Sequence, residues 1–146
     1  MKKLSPSMED YLEAVYGLAG ARGFARAKDI SARLKVSRPS VNSALKNLSA
    51  LGLVAHEHYG YARLTPSGLA AGSKIAELHG FLKDFFISVL CLAEAEAERD
   101  ACRIEHAIGA RAMANLRLLA EFIRTSRKGA LAAEVSGFIK KRTGAI

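Results

Sequence analysis

Val36-Ser37-Arg38-Pro39-Ser40-Val41-Asn42-Ser43-Ala44-Leu45-Lys46-Asn47-Leu48 reads as a helix with two dissimilar faces. Val41, Ala44, Leu45 and Leu48, with Leu51 beyond them, recur at the spacing of one buried stripe, and Gly52 ends the run. Ser37 stands at the cap position, and Pro39 falls in the first turn, where its missing N–H costs nothing. The other face carries Ser37, Arg38, Ser40, Asn42, Ser43, Lys46 and Asn47, with no acidic residue. A merely solvated face would ordinarily hold glutamates. Short hydrogen-bonding side chains beside cations suit base edges and phosphates instead.

Working outward, a short helix over about 27–34 turns Ile30 and Leu34 inward and meets the first through Lys35-Val36-Ser37. Two helices joined by a tight turn, the second longer and polar outside, form a helix-turn-helix. Downstream, Leu53-Val54-Ala55-His56 and Tyr61-Ala62-Arg63-Leu64 read as strands around a Tyr59-Gly60 turn. A hairpin after a recognition helix is a wing, with Arg63 and Tyr59 placed to touch the nucleic-acid backbone or minor groove. Upstream, Ser7 is the expected cap of an opening helix whose Met8, Tyr11, Leu12, Val15, Leu18 and Ala19 form its buried stripe. Asp10 and Glu13 lie outside that stripe, where acids favour a helix N-terminus.

The second half reads as helices. Thr65-Pro66-Ser67-Gly68 opens a long one reaching about residue 90, with Leu69, Ile75, Leu78, Leu82, Phe85, Phe86 and Val89 on a broad apolar face. That is more large apolar surface than a small fold needs internally, and it points to a subunit interface. A helix over about 94–107 carries Cys102-Arg103-Ile104-Glu105-His106. Cys102, Glu105 and His106 fall at i, i+3 and i+4, so a thiolate, a carboxylate and an imidazole share one face, all three metal-ligand types. Ile104 and Ile108 fall on another arc, where they can pack into a core. By itself the pattern more often describes a buried thiol beside an exposed Glu-His pair. A further helix over about 110–123 presents Met113, Leu116, Leu119, Ala120 and Ile123, and a short one over about 131–139 is expected between basic ends.

The whole chain limits the class. At 146 residues it holds one domain or two small lobes, and its net charge of +8 points to a polyanionic partner, nucleic acid first. The charge is +5 over residues 1–65, −3 over 66–110 and +6 over 111–146, which implies a division of labour. No apolar run approaches the roughly 20 residues of a membrane-spanning helix, and the N-terminus lacks a signal core. Two cysteines, Cys91 and Cys102, make no disulfide framework, so a cytoplasmic setting with reduced thiols is expected.

Winged helix-turn-helix, long helix and ligand-bearing helix together resemble the diphtheria-toxin-repressor family of iron- and manganese-dependent transcriptional regulators. The similar stretches are Ser7-Met8-Glu9-Asp10-Tyr11-Leu12-Glu13, Val36-Ser37-Arg38-Pro39-Ser40-Val41, Leu64-Thr65-Pro66-Ser67-Gly68, His79 and Cys102-Arg103-Ile104-Glu105-His106-Ala107. The resemblance implies a mainly α fold: a DNA-binding domain over residues 1–65, an all-helical dimerisation and metal-binding domain over 66–125, and a basic tail over 126–146. It implies the short form, without the C-terminal SH3-like barrel of larger members. By the same resemblance the metal ligands are Asp10, Glu13, His79, Cys102, Glu105 and His106. The DNA-binding residues expected from the helix-turn-helix and wing are Ser37, Arg38, Pro39, Ser40, Asn42, Ser43, Lys46 and Arg63. Iron-type members carry Met at the position of Asp10 and Cys at that of Cys102; manganese-type members carry the acid but a Glu for Cys102. This chain mixes the two. Lys83 also stands where an acid of the family's ancillary site is expected, with Glu98 as a substitute.

The expected function is metal-dependent repression: Mn(II) or Fe(II), with Zn(II) or Co(II) binding in vitro, orders a homodimer on a palindromic double-stranded operator, without a membrane. A winged-helix repressor sensing an organic ligand or thiol oxidation is the competing reading. An acid-rich setting that disfavours the Cys102 thiolate argues against the oxidant sensor. An enzyme would need an open coordination position and a cleft, and the expected ligand set saturates the ion instead. An effector-free architectural protein leaves the ligand cluster unexplained.

Overall fold

A computed structural model describes residues 4–56 and 60–143. The expected wing contact at Tyr59 therefore lies outside the described residues. Helix α1 (Pro6–Ala19) is followed by a short strand β1 (Ala25–Arg26), α2 (Ala27–Leu34), α3 (Arg38–Ala50), β2 (Val54–His56) and β3 (Tyr61–Leu64). Then come α4 (Pro66–Ser88), α5 (Glu94–Glu105), α6 (Ala110–Thr125) and α7 (Ala130–Thr143). The chain divides into two compact units, residues 1–77 and 78–146, and the division falls inside α4. None of the described helices is long and apolar enough to cross a membrane.

The first unit is a winged helix-turn-helix. Ser37 caps α3, its hydroxyl accepting from Ser40 N at 3.2 Å. Lys35, in the left-handed region at φ 55°, turns the chain between α2 and α3. Strands β2 and β3 pair antiparallel, Ala55 opposite Arg63, and β1 joins the outer side of β3 with Ala25 opposite Ala62. Leu12, Val15, Ile30, Val41, Leu45 and Leu48 are fully buried in its core. Three expectations are corrected here. Ser5, not Ser7, caps α1: its hydroxyl accepts from Met8 N at 3.4 Å, and Pro6 takes the first turn. Leu51 and Leu69 are 47% and 55% exposed, because Leu51 is the residue at which α3 ends and Leu69 sits on the outer side of α4. Strand β1 was not expected, since two residues are too few to show a period of two.

The second unit packs Leu82, Phe85 and Phe86 of α4 against Ala97 and Ala101 of α5 and Met113 of α6, with Leu78, Val89, Leu116 and Ala120 around them. Most of the large side chains of α4 are thus consumed within the unit. The most exposed large apolar residues of this unit are Leu118, Leu119 and Phe122 of α6 and Phe138 of α7, with Ile87 of α4, Leu90 and Ile104 exposed to a smaller extent. Helix α7 is longer than the expected stretch over 131–139; the Ser136 hydroxyl donates to Ser88 O at 3.0 Å. Ile104, expected to pack inward, is 38% exposed, whereas Ile108 does join the core.

Candidate metal centre and nucleic-acid face

Ala97 and Ala101 are fully buried, and their short side chains let α5 lie close to α4. One helical turn after Ala101, the same face brings Glu105 inward. The helix ends there, so His106 occupies the cap position rather than the helix, at φ −83° and ψ −17°. The i, i+3, i+4 spacing survives because this backbone is still near helical. A sulfur, a carboxylate oxygen and a ring nitrogen of Cys102, Glu105 and His106 lie within 4.8 Å of one another. From α4, His79 directs Nδ1 to within 2.7 Å of Glu105 Oε2. The other oxygen, Glu105 Oε1, lies 3.4 Å from His106 Nε2.

Glu105 is the centre of this group. Its side chain is 1% exposed, and Oε1 has no hydrogen-bond partner among the described residues. A buried carboxylate is costly unless paired or bound to a cation. An imidazole nitrogen and a carboxylate oxygen 2.7 Å apart must likewise share a proton or a cation. Cys102, Glu105 and His106 form one donor group, and His79 meets Glu105 through its other oxygen; a thiolate, a carboxylate and imidazoles of this kind suit a first-row divalent ion. The donor set leans toward Fe(II), Co(II) or Zn(II) through the sulfur and toward Mn(II) through the oxygen. Four of the six expected ligands, His79, Cys102, Glu105 and His106, lie in the second unit, with Glu105 in contact with both histidines. Asp10 and Glu13 belong to the first unit, where both are half-buried on α1 and three residues apart.

On the first unit, Ser37, Arg38, Pro39, Ser40, Asn42, Ser43 and Lys46 are all exposed on α3, and Arg63 is exposed on β3. Ser37 and Ser40 are partly engaged with each other, their hydroxyl oxygens 2.8 Å apart. Asn42, Ser43 and Lys46 are left as the side chains that project from the helix body. Sequence reasoning missed two further cations. Arg26 and Lys28 line, with Arg38, Asn42 and Tyr61, a cleft of about 400 Å³ between the start of α3 and the wing. The Arg26 guanidinium lies 5.6 Å from the Tyr61 ring centre, and Tyr61 meets Phe24 edge-on at 5.0 Å. Arg26 sits on the strand that the sequence pattern did not reveal.

These placements separate two kinds of mutation. Lys46→Ala should weaken DNA binding about uniformly across sequences and lower the slope of log K against log salt by about 1. Asn42→Ala should instead relax base preference at one position, at a cost of about 1–3 kcal/mol for the preferred base. Salt titrations on a selected and a scrambled duplex check both; the reverse pattern would exchange the two roles.

Residues 3–62 match the family model described as the iron dependent repressor N-terminal DNA binding domain. Residues 65–131 match the iron dependent repressor metal binding and dimerisation domain. The HTH-type transcriptional regulator MntR of Listeria welshimeri is 34% identical over 102 residues, covering 70% of this chain and 71% of that protein. MntR of Geobacillus kaustophilus is 34% identical over 102 residues, covering 70% and 72%. Among solved structures, IdeR of T. acidophilum superposes with a TM-score of 0.67 at 25% identity, covering 84% of this chain and 55% of that one. A manganese-dependent transcriptional repressor in complex with manganese gives 0.67 at 27% identity, covering 79% and 53%. The chain spans little more than half the length of these solved structures.

Proposed function

The chain belongs to the iron-dependent repressor family, and from that premise we propose that it is a metal-activated DNA-binding repressor that acts as a homodimer on a palindromic operator. The observation that carries this is the buried Glu105 carboxylate, its Oε1 without a hydrogen-bond partner among the described residues, grouped with Cys102 and His106 and in contact with His79. We assign Asp10 and Glu13 as the further ligands on the family resemblance. When bound, the ion supplies the positive charge that the carboxylates of Asp10, Glu13 and Glu105 otherwise lack. Binding through Asp10 and Glu13 would hold α1 and set the spacing of the two recognition helices in a dimer to about one turn of DNA. Metal and DNA each raise the other's affinity by the same factor.

The ion proposed is Mn(II) or Fe(II). MntR is the name of the relatives above, and the manganese complex is a solved neighbour; the sulfur of Cys102 draws the preference toward Fe(II). Zn(II) and Co(II) should bind at least as tightly in vitro, following the Irving–Williams order. The exposed Leu118, Leu119, Phe122 and Phe138 supply apolar surface for burial against a second copy. We read the protein as cytoplasmic and without catalytic activity. The division of labour is DNA contact by residues 1–65, dimerisation and metal binding by 66–125, and a basic tail over 126–146.

The test is selection from pooled random duplexes by the purified protein in chelator, then in Mn(II), Fe(II) and Zn(II). A palindromic sequence selected only with metal is the expected result. The same selection in chelator would leave the DNA-binding face standing and remove the sensing role.

A further inference from the structure

His79 is held between two carboxylates, Glu105 and Glu98, and Glu98 also meets a lysine. On α4, Lys83 lies one turn after His79. Its Nζ donates to Glu94 Oε1 at 3.1 Å and stands 2.9 Å from Glu98 Oε2. Glu94 and Glu98 are four residues apart, so they share one face of α5. The second oxygen of Glu98 lies 3.3 Å from His79 Nε2, while Nδ1, across the ring, is 2.7 Å from Glu105 Oε2. The contacts thus run in one line: Lys83, Glu98, His79, Glu105.

The two ends of the line differ. Glu105 is sealed from water at 1% exposure, whereas Glu98 is 50% exposed. The Lys83 ammonium, 2.9 Å from Glu98 Oε2, holds that oxygen and so fixes the orientation in which the other oxygen faces His79. An imidazole nitrogen binds a metal through its lone pair, and the other nitrogen must then carry the hydrogen. A carboxylate facing that second nitrogen settles which is which and fixes the ring.

We propose that Lys83, acting through Glu98, is a positioning residue that keeps the His79 Nε2 hydrogen on the Glu98 side and turns Nδ1 toward Glu105 and the metal. The role rests on the metal reading above for its purpose, but not for its detection. A lysine that merely tied α4 to α5 would leave the His79 ring indifferent to its removal. A lysine that orients the ring through Glu98 would not.

The experiment follows the His79 ring nitrogens and their hydrogens by NMR in the metal-free full chain, and Mn(II) binding by calorimetry. Wild type should show an exchange-protected Nε2–H on His79. Lys83→Met and Glu98→Gln should each lose it and weaken Mn(II) binding about 10- to 100-fold, while Lys83→Arg keeps both. Should Lys83→Met fail to fold, Glu98→Gln, at a half-exposed position, carries the same comparison. A His79 ring signal unchanged in both variants overturns the proposal, whatever happens to the metal. A ring signal lost as expected in a protein that takes up no Mn(II) keeps the positioning role and removes the metal reading.

Discussion

Glu105→Gln should abolish metal-stimulated DNA binding and leave the metal-free protein no less stable. The substitution keeps the shape of the side chain and removes the charge. In the metal-free chain that charge is only partly compensated: Oε2 meets His79 Nδ1, but the carboxylate is almost wholly buried and Oε1 has no hydrogen-bond partner among the described residues. A neutral amide is cheaper to bury, and its N–H₂ remains able to face His79 Nδ1 or His106 Nε2. In the metal-bound chain the loss is decisive, because Glu105 sits between His79 and His106 and joins Cys102 in the same cluster. If coupling between metal and operator has the usual size, about 5- to 150-fold in affinity, it should collapse to about 1 in the variant. Operator binding with and without Mn(II), alongside thermal melting in chelator, reads both halves. Stimulation equal to wild type would remove Glu105 from the ligand set. A lower midpoint in chelator would make it a structural acceptor first.

The opposite signs explain what sequence reading recovered and what it lost. Buried stripes were legible because the helical period is a property of the chain alone; Leu12, Val15, Val41, Leu45 and Leu48 all lie in the core as the spacing predicts. Cys102, Glu105 and His106 were legible for the same reason. The clustering survives even though α5 stops at Glu105, because three residues near helical backbone suffice. What the period does not encode is the outside of each element. Leu51, Leu69 and Ile104 have the right residue type at a helical position, yet they face away from the packed side. Ser5 and Ser7 are equivalent caps by type, and Pro6 decides between them by fitting the first turn. The Lys83–Glu98–His79 line joins two helices, and no spacing within either one reveals it.

Gly68→Ala should destabilise the winged-helix unit at or above the upper end of the ~1–3 kcal/mol typical of overpacking. Thr65 begins α4 by donating its hydroxyl to Gly52 O at 2.6 Å and accepting from Gly68 N at 3.0 Å. Its own N–H donates to Leu53 O at 3.1 Å. These bonds draw the first turn of α4 onto the loop between α3 and β2, and a methyl group at position 68 would be driven into the Leu53 carbonyl. Relief would require backbone movement, because Leu53 is buried and its N–H is held by Leu48 O. Helix propensity points the other way, favouring Ala over Gly by up to about 1 kcal/mol, so the sign is decided by space. Gly80 on the same helix is the control: an added Cβ meets nothing within 4 Å there. Gly80→Ala should be neutral or stabilise by up to about 1 kcal/mol. Denaturant melts should show Gly68→Ala losing stability while Gly80→Ala loses none, and DNA binding by Gly68→Ala should fall with its folded fraction. A Gly68→Ala protein as stable as wild type would show that the Leu53 carbonyl can yield, and that the seam between α4 and the wing is not rigidly set.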